Sequence, residues 1–195
     1  MKRILKYCVN AIAVTVAFAP AGLSLFGRIR WVYVLFAQVF AMVPGAPGNY
    51  LRIAYYRLTL EQCRMASCIE FGSYFAHPEA RIADGVYIGS YCILGRTSIG
   101  ARTQIASGVQ ILSGRQQHAR DEEGRIQGSE SGHFVRVEMG ADCWIGVAAI
   151  VMADVGEGST IGAGAVVVKS IPAGSVAVGN PARVIRTATA ADASA

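Results

Sequence analysis

Acidic residues are almost missing from the first third of this chain. Between residues 1 and 64, eight basic side chains face one acid, Glu61, which gives this part a charge of +7, whereas the whole sequence carries +5. Charged residues form 16% of the sequence and hydrophobic residues 53%, so part of the apolar surface must be hidden from water. A basic and apolar front end favours a membrane surface as partner over nucleic acid.

Cysteine pairs with metal-binding spacing are missing from the sequence, and histidines are few. The five cysteines are an odd number, and none of them form a C-x-x-C pair, which argues against a disulfide framework and against a zinc finger. Reduced thiols of a cytosolic protein are the expected state. The histidines are His77, His118 and His133, so any chemistry that needs an imidazole depends on one of these three.

A six-residue repeat dominates the rest of the chain. Between residues 82 and 111, aliphatic residues recur in steps of six, six, five, six and six, and most are followed by glycine or alanine. The rhythm returns over residues 139–151 and 155–167. A period of six fits neither a helix nor an alternating strand. It predicts short strands joined by corners, three to a coil, with each aliphatic side chain stacked on the one a coil away.

Three segments in the second half resemble a known family, the hexapeptide-repeat acyltransferases. They are Cys143-Trp144-Ile145-Gly146, the segment 161–169 (IGAGAVVVK) and the segment 179–186 (GNPARVIR). The resemblance covers residues 76–186 and is strongest to the branch of xenobiotic, maltose and polysaccharide O-acetyltransferases. It implies a mainly β fold, a left-handed parallel β-helix preceded here by an N-terminal apolar helical segment. It also implies acetyl-CoA as acyl donor, no metal, and a homotrimer with active sites between subunits.

The same resemblance implies a set of donor-binding residues. Small residues would let the pantetheine arm lie along the coils, and cations would hold the nucleotide phosphates. The positions implied for acetyl-CoA are Trp144, Val147, Ala163, Ala165, Val168, Lys169, Arg183 and Arg186.

Residues 113–136 break the repeat with a polar loop, where the family carries its catalytic histidine. Acyl transfer to a hydroxyl needs a base near neutral pH, and imidazole suits that task. We therefore expect His118 to be the general base, although many relatives have histidine at the position of Gln116. His133 is the alternative, whereas His77 is expected to be a surface residue at a corner. Gln116 and Asp121 are expected to contact the acceptor.

The apolar front end allows four interpretations. Residues 7–26 and 31–43 are apolar runs interrupted at Pro20 and at a basic pair, Arg28 and Arg30. They predict two helices with a break at residues 20–22. The helices would lie on the inner face of the membrane, and the protein would be cytoplasmic. The alternatives are a cleaved signal peptide, a transmembrane span over residues 7–26, and helices that merely pack on the β-helix or a neighbouring subunit.

The expected organisation has four parts. Residues 1–48 form the apolar segment, of which residues 1–43 would contact the membrane, and residues 49–75 a capping helix with Asn49 as N-cap and the first strand. Residues 76–186 form the acyltransferase domain, and residues 187–195 a disordered tail.

The expected activity is transfer of acetyl to a hydroxyl of a sugar or of a lipid-linked or exported polysaccharide unit. The alternatives are N-acetylation of an amino sugar, a non-catalytic scaffold, and a zinc carbonic anhydrase built on the same repeat.

Overall fold

The computed structural model describes residues 2–64, 66–114, 120–128 and 134–187, and the side chains from residue 7 onward. Three α-helices come first, α1 (Lys2–Leu23), α2 (Arg30–Ala41) and α3 (Gly45–Thr59). A solenoid of about six coils follows, with short strands distributed over three sheets. The architecture is mainly β with an apolar helical segment in front, which confirms the fold class expected from the repeat.

Each of the first four coils contributes one strand to each sheet, and neighbouring coils pair in parallel. In the next two coils, isolated parallel bridges at Val155 and Ile171 continue the stack beyond β10. Sheet A contains β1 (Gln62–Cys63), β4 (Arg81–Ile82), β7 (Thr97–Ile99) and β10 (Val137–Met139). Sheet B contains β2 (Cys68–Ile69), β5 (Tyr87–Ile88), β8 (Gln104–Ile105), β11 (Trp144–Ile145), β13 (Thr160–Ile161), β15 (Ser175–Val178) and β16 (Arg183–Thr187). Sheet C contains β3 (Tyr74–Phe75), β6 (Ile93–Leu94), β9 (Gln110–Ile111), β12 (Ile150–Val151) and β14 (Val166–Val167).

The second residue of most strands points into the solenoid and lies on its counterpart one coil away. In sheet B, Ile88 pairs with Ile105, Ile105 with Ile145, and Ile145 with Ile161, and all four are buried. Sheet C repeats the arrangement from Phe75 to Val167. The six-residue period therefore exists because each aliphatic side chain must fall into one of three inward columns.

The helical hairpin, which comprises α1, α2 and the turn 24–29 between them, differs from the sequence expectation in one respect. Helix α1 runs through Pro20 and ends at Leu23, so the break comes after the proline rather than at it. Near a helix end, proline costs one hydrogen bond, here to the carbonyl of Val16, and the remaining turn can continue. The described part of the chain contains no helix both long and apolar enough to cross a membrane.

Helix α3 also begins earlier than predicted. Its N-cap is Pro44, and Asn49 lies inside the helix, where its side-chain oxygen accepts a hydrogen bond from the Ile69 N–H at 3.0 Å. The N-cap expected at Asn49 is wrong because that side chain ties α3 to β2 instead. Small residues of α1 (Ala13, Ala17 and Ala21) are buried where α1 packs on α3.

Arg52 joins the helices to the first coil. The side chain is fully buried. It donates hydrogen bonds to the carbonyls of Phe40 in the last turn of α2 and of Val43 just after α2, at 3.0 and 2.8 Å, and to that of Ile69 in β2 at 2.8 Å. Burial lowers the pKa of this guanidinium, although the negative end of the α2 dipole favours its charge.

Small residues after the inward positions are required by the spacing of the coils. A Cβ added at Gly146 would lie 2.5 Å from the Ala163 nitrogen and 2.8 Å from the Ile161 oxygen, both backbone atoms of the next coil. At Gly22, in α1, an added Cβ meets nothing within 4 Å.

We therefore expect Gly146→Ala to lower the free energy of unfolding by about 2 kcal/mol or more, because two coils must separate to admit the methyl group. Gly22→Ala is the matched control and should be neutral or slightly stabilising, since alanine favours a helix. Urea unfolding of both variants measures the difference. Equal stability of the two variants would contradict the close packing of coils described above.

Candidate functional site

One edge of the solenoid carries the polar loop 113–136 and the segment that contains Lys169. At this edge, which we call the C/A edge, each coil passes from sheet C to sheet A. It carries residues 76–80 in the first coil, 95–96 in the second, the loop 113–136 in the third, and 168–170 in the fifth. Coils are about 4.8 Å apart, so the origin of the loop lies about 10 Å from Lys169 along this edge.

The residues expected to carry the reaction lie partly outside the described structure. His118, Gln116 and His133 belong to residues 115–119 and 129–133, which are not described. Residues 120–128 form a small turn in which Asp121 accepts hydrogen bonds from the Arg125 backbone N–H and guanidinium, both at 2.8 Å. The Asp121 carboxylate therefore closes this turn with both oxygens, and its expected contact with an acceptor stays a prediction.

His77 is not the surface residue that the sequence suggested. It is buried, and its Nε2 lies 3.0 Å from Nη2 of Arg30, at the beginning of α2. Because a guanidinium only donates, Nε2 accepts and the neutral ring carries its proton on Nδ1, which faces Glu79 Oε2 at 3.8 Å. The ring of Phe134 lies against His77, with centroids 5.2 Å apart, and under the Arg30 guanidinium at 5.7 Å.

Glu79 extends this arrangement to the stem of the loop. Its Oε1 accepts a hydrogen bond from Arg96 at 3.0 Å, and its backbone carbonyl accepts one from Arg136 at 2.9 Å. Arg96 also donates to the Phe134 carbonyl at 3.1 Å. We call this set, Arg30, His77, Glu79, Arg96, Phe134 and Arg136, the junction cluster, because it joins the helical hairpin, the first two coils and the loop stem.

Sequence reasoning missed the junction cluster. Its members come from four separate segments, and none of them belongs to the segments that carry the family resemblance. A signal existed in the repeat itself. Residues 76–80 lie on the same edge as residues 95–96 one coil later and the loop two coils later. That register places His77 close to the residues that begin and end the loop.

The surroundings in the junction cluster lower the pKa of two of its members, His77 and Glu79. Burial, reinforced by the Arg30 charge, lowers the pKa of His77 to about 4, so the ring is neutral at physiological pH. Burial alone would raise the pKa of Glu79, but hydrogen bonds from its own backbone N–H and from Arg96 outweigh it and lower the pKa below its ordinary value.

The donor residues implied by the resemblance are distributed over several places, and five of them lie in two separate groups along the coils. Trp144 is exposed on the outer face of sheet B, and Val147 and Ala163 are exposed in adjacent coils where sheet B passes to sheet C. Val168 and Lys169 lie on the C/A edge, beyond strand β14. A single chain therefore does not bring these two groups together in one continuous surface.

The remaining donor residues lie at the end of the solenoid, except one. Arg183 and Arg186 are exposed on β16, which runs antiparallel beside β15. Ala165 is fully buried, its N–H donates to the Gly162 carbonyl, and its own carbonyl accepts a hydrogen bond from Ile150. The Ala165 side chain therefore lies inside the solenoid, and its expected contact with acetyl-CoA stays a prediction.

Comparison with known proteins agrees with the fold. No protein-family model matches the chain. A protein of Schizosaccharomyces pombe that carries the name of an acetyltransferase is 46% identical over 71 residues, which cover 35% of this chain and 33% of that protein. The chain thus spans about a third of the length of this curated relative.

Solved structures cover more of the chain at lower identity. A hexapeptide-repeat acetyltransferase from Vibrio cholerae has a TM-score of 0.66 at 20% identity and covers 78% of this chain and 86% of that one, and it is also known in complex with acetyl-CoA. A maltose O-acetyltransferase from Clostridium difficile has a TM-score of 0.65 at 24% identity and covers 87% and 91%. An N-acyltransferase from Bacillus cereus, in complex with a dTDP-linked amino sugar and coenzyme A, has a TM-score of 0.54 at 18% identity and covers 63% and 70%. These similarities show the fold.

A carbonic anhydrase would need a cluster of side chains that can bind a metal ion. Among the residues that the structure describes, no group of three histidine, cysteine or acidic side chains lies close enough to hold a metal ion. Cys92 and Cys143 are buried in the solenoid, where burial raises the pKa of both thiols. Both thiols donate to carbonyls of a neighbouring coil, at 3.2 Å.

The lowered pKa of His77 predicts a loss of stability in mild acid. The unfolded chain takes up the proton near pH 6.5 and the folded chain near pH 4, so the free energy of unfolding should fall as the pH drops through this window. We expect a loss on the order of 1–2 kcal/mol at pH 5 relative to pH 7. In His77→Gln this part of the slope should disappear. Urea unfolding from pH 7 to pH 4.5 measures it, and a slope that persists in the variant would place the titration elsewhere.

Proposed function

We propose that this protein transfers an acetyl group from acetyl-CoA to a hydroxyl group of a sugar. The observation that carries the proposal is the placement of Val168 and Lys169, which match the donor contacts of hexapeptide acyltransferases, on the edge from which the loop with His118 emerges. The similarity in fold to a maltose O-acetyltransferase and to an acetyltransferase known with acetyl-CoA supports the same reaction class.

His118 is the general base in this proposal. Its imidazole takes the proton of the acceptor hydroxyl as the oxygen attacks the thioester carbonyl carbon, and coenzyme A leaves as the thiol after taking up a proton. The attack is direct, so no covalent enzyme intermediate forms. Gln116 and Asp121 are the proposed acceptor contacts beside the base.

The donor site takes its cations from the second half of the chain. Lys169, Arg183 and Arg186 would hold the phosphates of acetyl-CoA, and Trp144, Val147 and Ala163 would line the path of the pantetheine arm. Because strand β14 separates the two groups of donor residues within one chain, a complete site needs another copy of the chain. This separation supports a homotrimer with the donor between subunits.

A second candidate is N-acetylation of an amino sugar. The similarity to an N-acyltransferase known with a dTDP-linked amino sugar favours it, and the same base could accept a proton from an amine. A panel of hydroxyl and amino acceptors distinguishes the two reactions, and a non-catalytic scaffold would release no thiol with any of them.

We expect His118→Ala to reduce acceptor-dependent thiol release from acetyl-CoA by about a hundredfold or more, since general base catalysis contributes on that scale. The matched control is His133→Ala, which should retain activity. Both variants should bind coenzyme A as the unchanged protein does, measured as the rise in melting temperature with ligand.

Two outcomes would contradict this assignment. Unchanged turnover in His118→Ala would move the base to His133 or to another group. No thiol release with any acceptor, together with tight coenzyme A binding, would favour the scaffold.

The helical hairpin is the proposed contact with the membrane. Its exposed apolar side chains include Val16, Phe18 and Leu23 on α1, Trp31, Leu35 and Val39 on α2, and Met42 just after α2. The turn between the helices adds Leu25 and Phe26, whose side chains are 54% and 49% exposed. So many exposed large apolar side chains within about 35 residues are typical of an interaction site. The absence of any acidic residue before Glu61 favours an anionic lipid surface as its partner.

The turn holds its apolar side chains outward at a conformational cost. Leu25 and Phe26 have φ angles of 47° and 54°, a region that favours glycine and asparagine. Hydrogen bonds from the Phe26 N–H to Ala21 and from Ile29 to Ser24, at 2.7 and 2.9 Å, keep the turn in this form. The Phe26 ring contacts the Phe18 ring edge to face, with centroids 5.9 Å apart, while about half of the side chain stays exposed. We assign the exposed half to membrane contact.

We expect Phe26→Asn to weaken binding to vesicles that contain anionic lipid by about tenfold, because one large apolar side chain no longer enters the interface. Its free energy of unfolding should change little, since asparagine tolerates the positive φ, which offsets the loss of the ring contact with Phe18. Tyr91→Asn is the matched control, because Tyr91 is also exposed and has a φ of 60° but lies on the solenoid. Sedimentation with vesicles measures both variants, and equal losses would refute a specific role of the turn.

A further inference from the structure

Among the residues that the structure describes, one cation of the junction cluster has no ion pair with a carboxylate. Within the described residues, Arg96 pairs with Glu79, and Arg81 and Arg136 pair with Glu61, whereas the ion pairs include none for Arg30. Arg30 uses one nitrogen on His77 and is otherwise exposed beside Phe134. A guanidinium has five N–H donors in a planar fork, so most of its hydrogen-bonding capacity is available here.

Several buried polar atoms in or beside the junction cluster lack a hydrogen-bond partner within the described residues. Four buried polar atoms, Glu79 Oε2, Arg96 Nε, Arg136 Nε and the Tyr33 hydroxyl, have no hydrogen-bond partner within the described residues. Glu79 links three of them directly and contributes to the raised pKa of Tyr33, whose main cause is burial. Buried polar groups without partners are rare in folded proteins and indicate a missing polar ligand or water.

The charge around these atoms favours an anion. Arg30, Arg96 and Arg136 outnumber the two carboxylates of Glu61 and Glu79, and the ring of His77 stays neutral at pH 7. Three of the four unfilled atoms are donors, which suits a ligand rich in acceptor oxygens. Phe134 fixes the plane of the Arg30 fork, so that its remaining N–H groups are already oriented.

The junction cluster also lies next to the apolar turn of the helical hairpin. A Cβ added at Gly27 would lie 3.0 Å from Pro78 and 2.8 Å from the Thr59 carbonyl, so this turn packs on the corner that follows His77. Leu25 and Phe26 thus stand a few residues from Arg30, on the surface that the proposed function places on the membrane. An anionic group bound at Arg30 would sit between that surface and the loop stem.

We propose that the junction cluster is a phosphate-binding subsite for the acceptor, with the Arg30 guanidinium as the direct contact. This inference rests on the proposed acetyltransfer, which it makes specific: the acceptor is a sugar that carries a phosphate or diphosphate. The phosphate can belong to a lipid carrier or to a soluble sugar phosphate, and both present the same acceptor oxygens to Arg30.

The subsite is separate from the cations proposed for the donor. Lys169 lies on the fifth coil and His77 on the first, which puts them about 19 Å apart along the C/A edge. Acceptor and donor phosphates would therefore lie on either side of the third coil, where the loop with His118 leaves the solenoid.

The test is the binding of inorganic pyrophosphate to the full chain, measured as the rise in melting temperature with ligand concentration. The unchanged protein should show a saturable rise. Arg30→Gln should weaken the affinity by about tenfold or more, because charge-assisted hydrogen bonds are lost. Arg57→Gln is the matched control, since Arg57 is exposed in the last turn of α3 and lies outside the junction cluster. It should bind pyrophosphate as the unchanged protein does.

Three results would overturn the subsite. One is the absence of a pyrophosphate effect in the unchanged protein, and another is an equal loss in Arg57→Gln, which would indicate diffuse attraction. The third is a loss in Lys169→Gln together with none in Arg30→Gln, which would place pyrophosphate in the donor site. Coenzyme A binding is measured in the same samples. If a variant still binds coenzyme A, it is folded and only the phosphate subsite has failed. If the unchanged protein does not bind coenzyme A, the result counts against the proposed acetyltransferase activity.

A second arm identifies the source of the phosphate. Vesicles of phosphatidylcholine with phosphatidic acid, which presents a terminal phosphate, are compared with vesicles that carry the same charge as phosphatidylglycerol. A preference for phosphatidic acid that disappears in Arg30→Gln supports a lipid-linked phosphate. Equal binding to both vesicles, with pyrophosphate binding retained, supports a soluble sugar phosphate.

Discussion

The vertical stacking of one aliphatic residue per strand is the constraint on which this structure depends. Columns such as Ile88, Ile105, Ile145 and Ile161 bury nearly all their surface against the coils above and below. Every coil must therefore keep the same three inward positions, and any excursion has to leave and return at a corner. The loop 113–136 obeys this rule, since it leaves after β9 and returns at β10 without disturbing either column. Chemistry can be placed at the corners because the columns carry the stability.

A stack of this kind also needs ends. At the first coil, α3 and the helical hairpin cover the open edge, and Arg52 fastens them by donating to carbonyls of α2 and β2 at once. A buried guanidinium that meets carbonyls rather than carboxylates requires each acceptor to stay in position. The close approach at Gly48, where a Cβ would lie 1.8 Å from the Val43 carbonyl, shows how tightly this region is built. The same fastening fixes the direction of α2, and with it the place of Arg30.

The repeat could be predicted in detail because each unit reports its own register through an aliphatic residue and a small one. The helix boundaries were less predictable, since Pro20 and Asn49 act through neighbours that the sequence does not reveal. The burial of Ala165 could not be predicted from the resemblance, which gives the motif but not the exposure of each position. The junction cluster lay beyond sequence reasoning for another reason. His77, Arg30 and Phe134 meet only after the hairpin has folded back on the first coil, and no local pattern records that contact.

The antiparallel direction of β16 has a consequence for how this molecule behaves at high concentration. A parallel solenoid that ended in a bare strand could recruit the first coil of another molecule and grow into a fibre. Here β16 turns back along β15, and its solvent-facing positions include Arg183 and Arg186. An outermost strand of reversed direction and positive charge is a poor template for a further coil. The two arginines proposed to hold the donor phosphates therefore also terminate the growth of the solenoid, so selection against aggregation and selection for cofactor binding would act on the same residues.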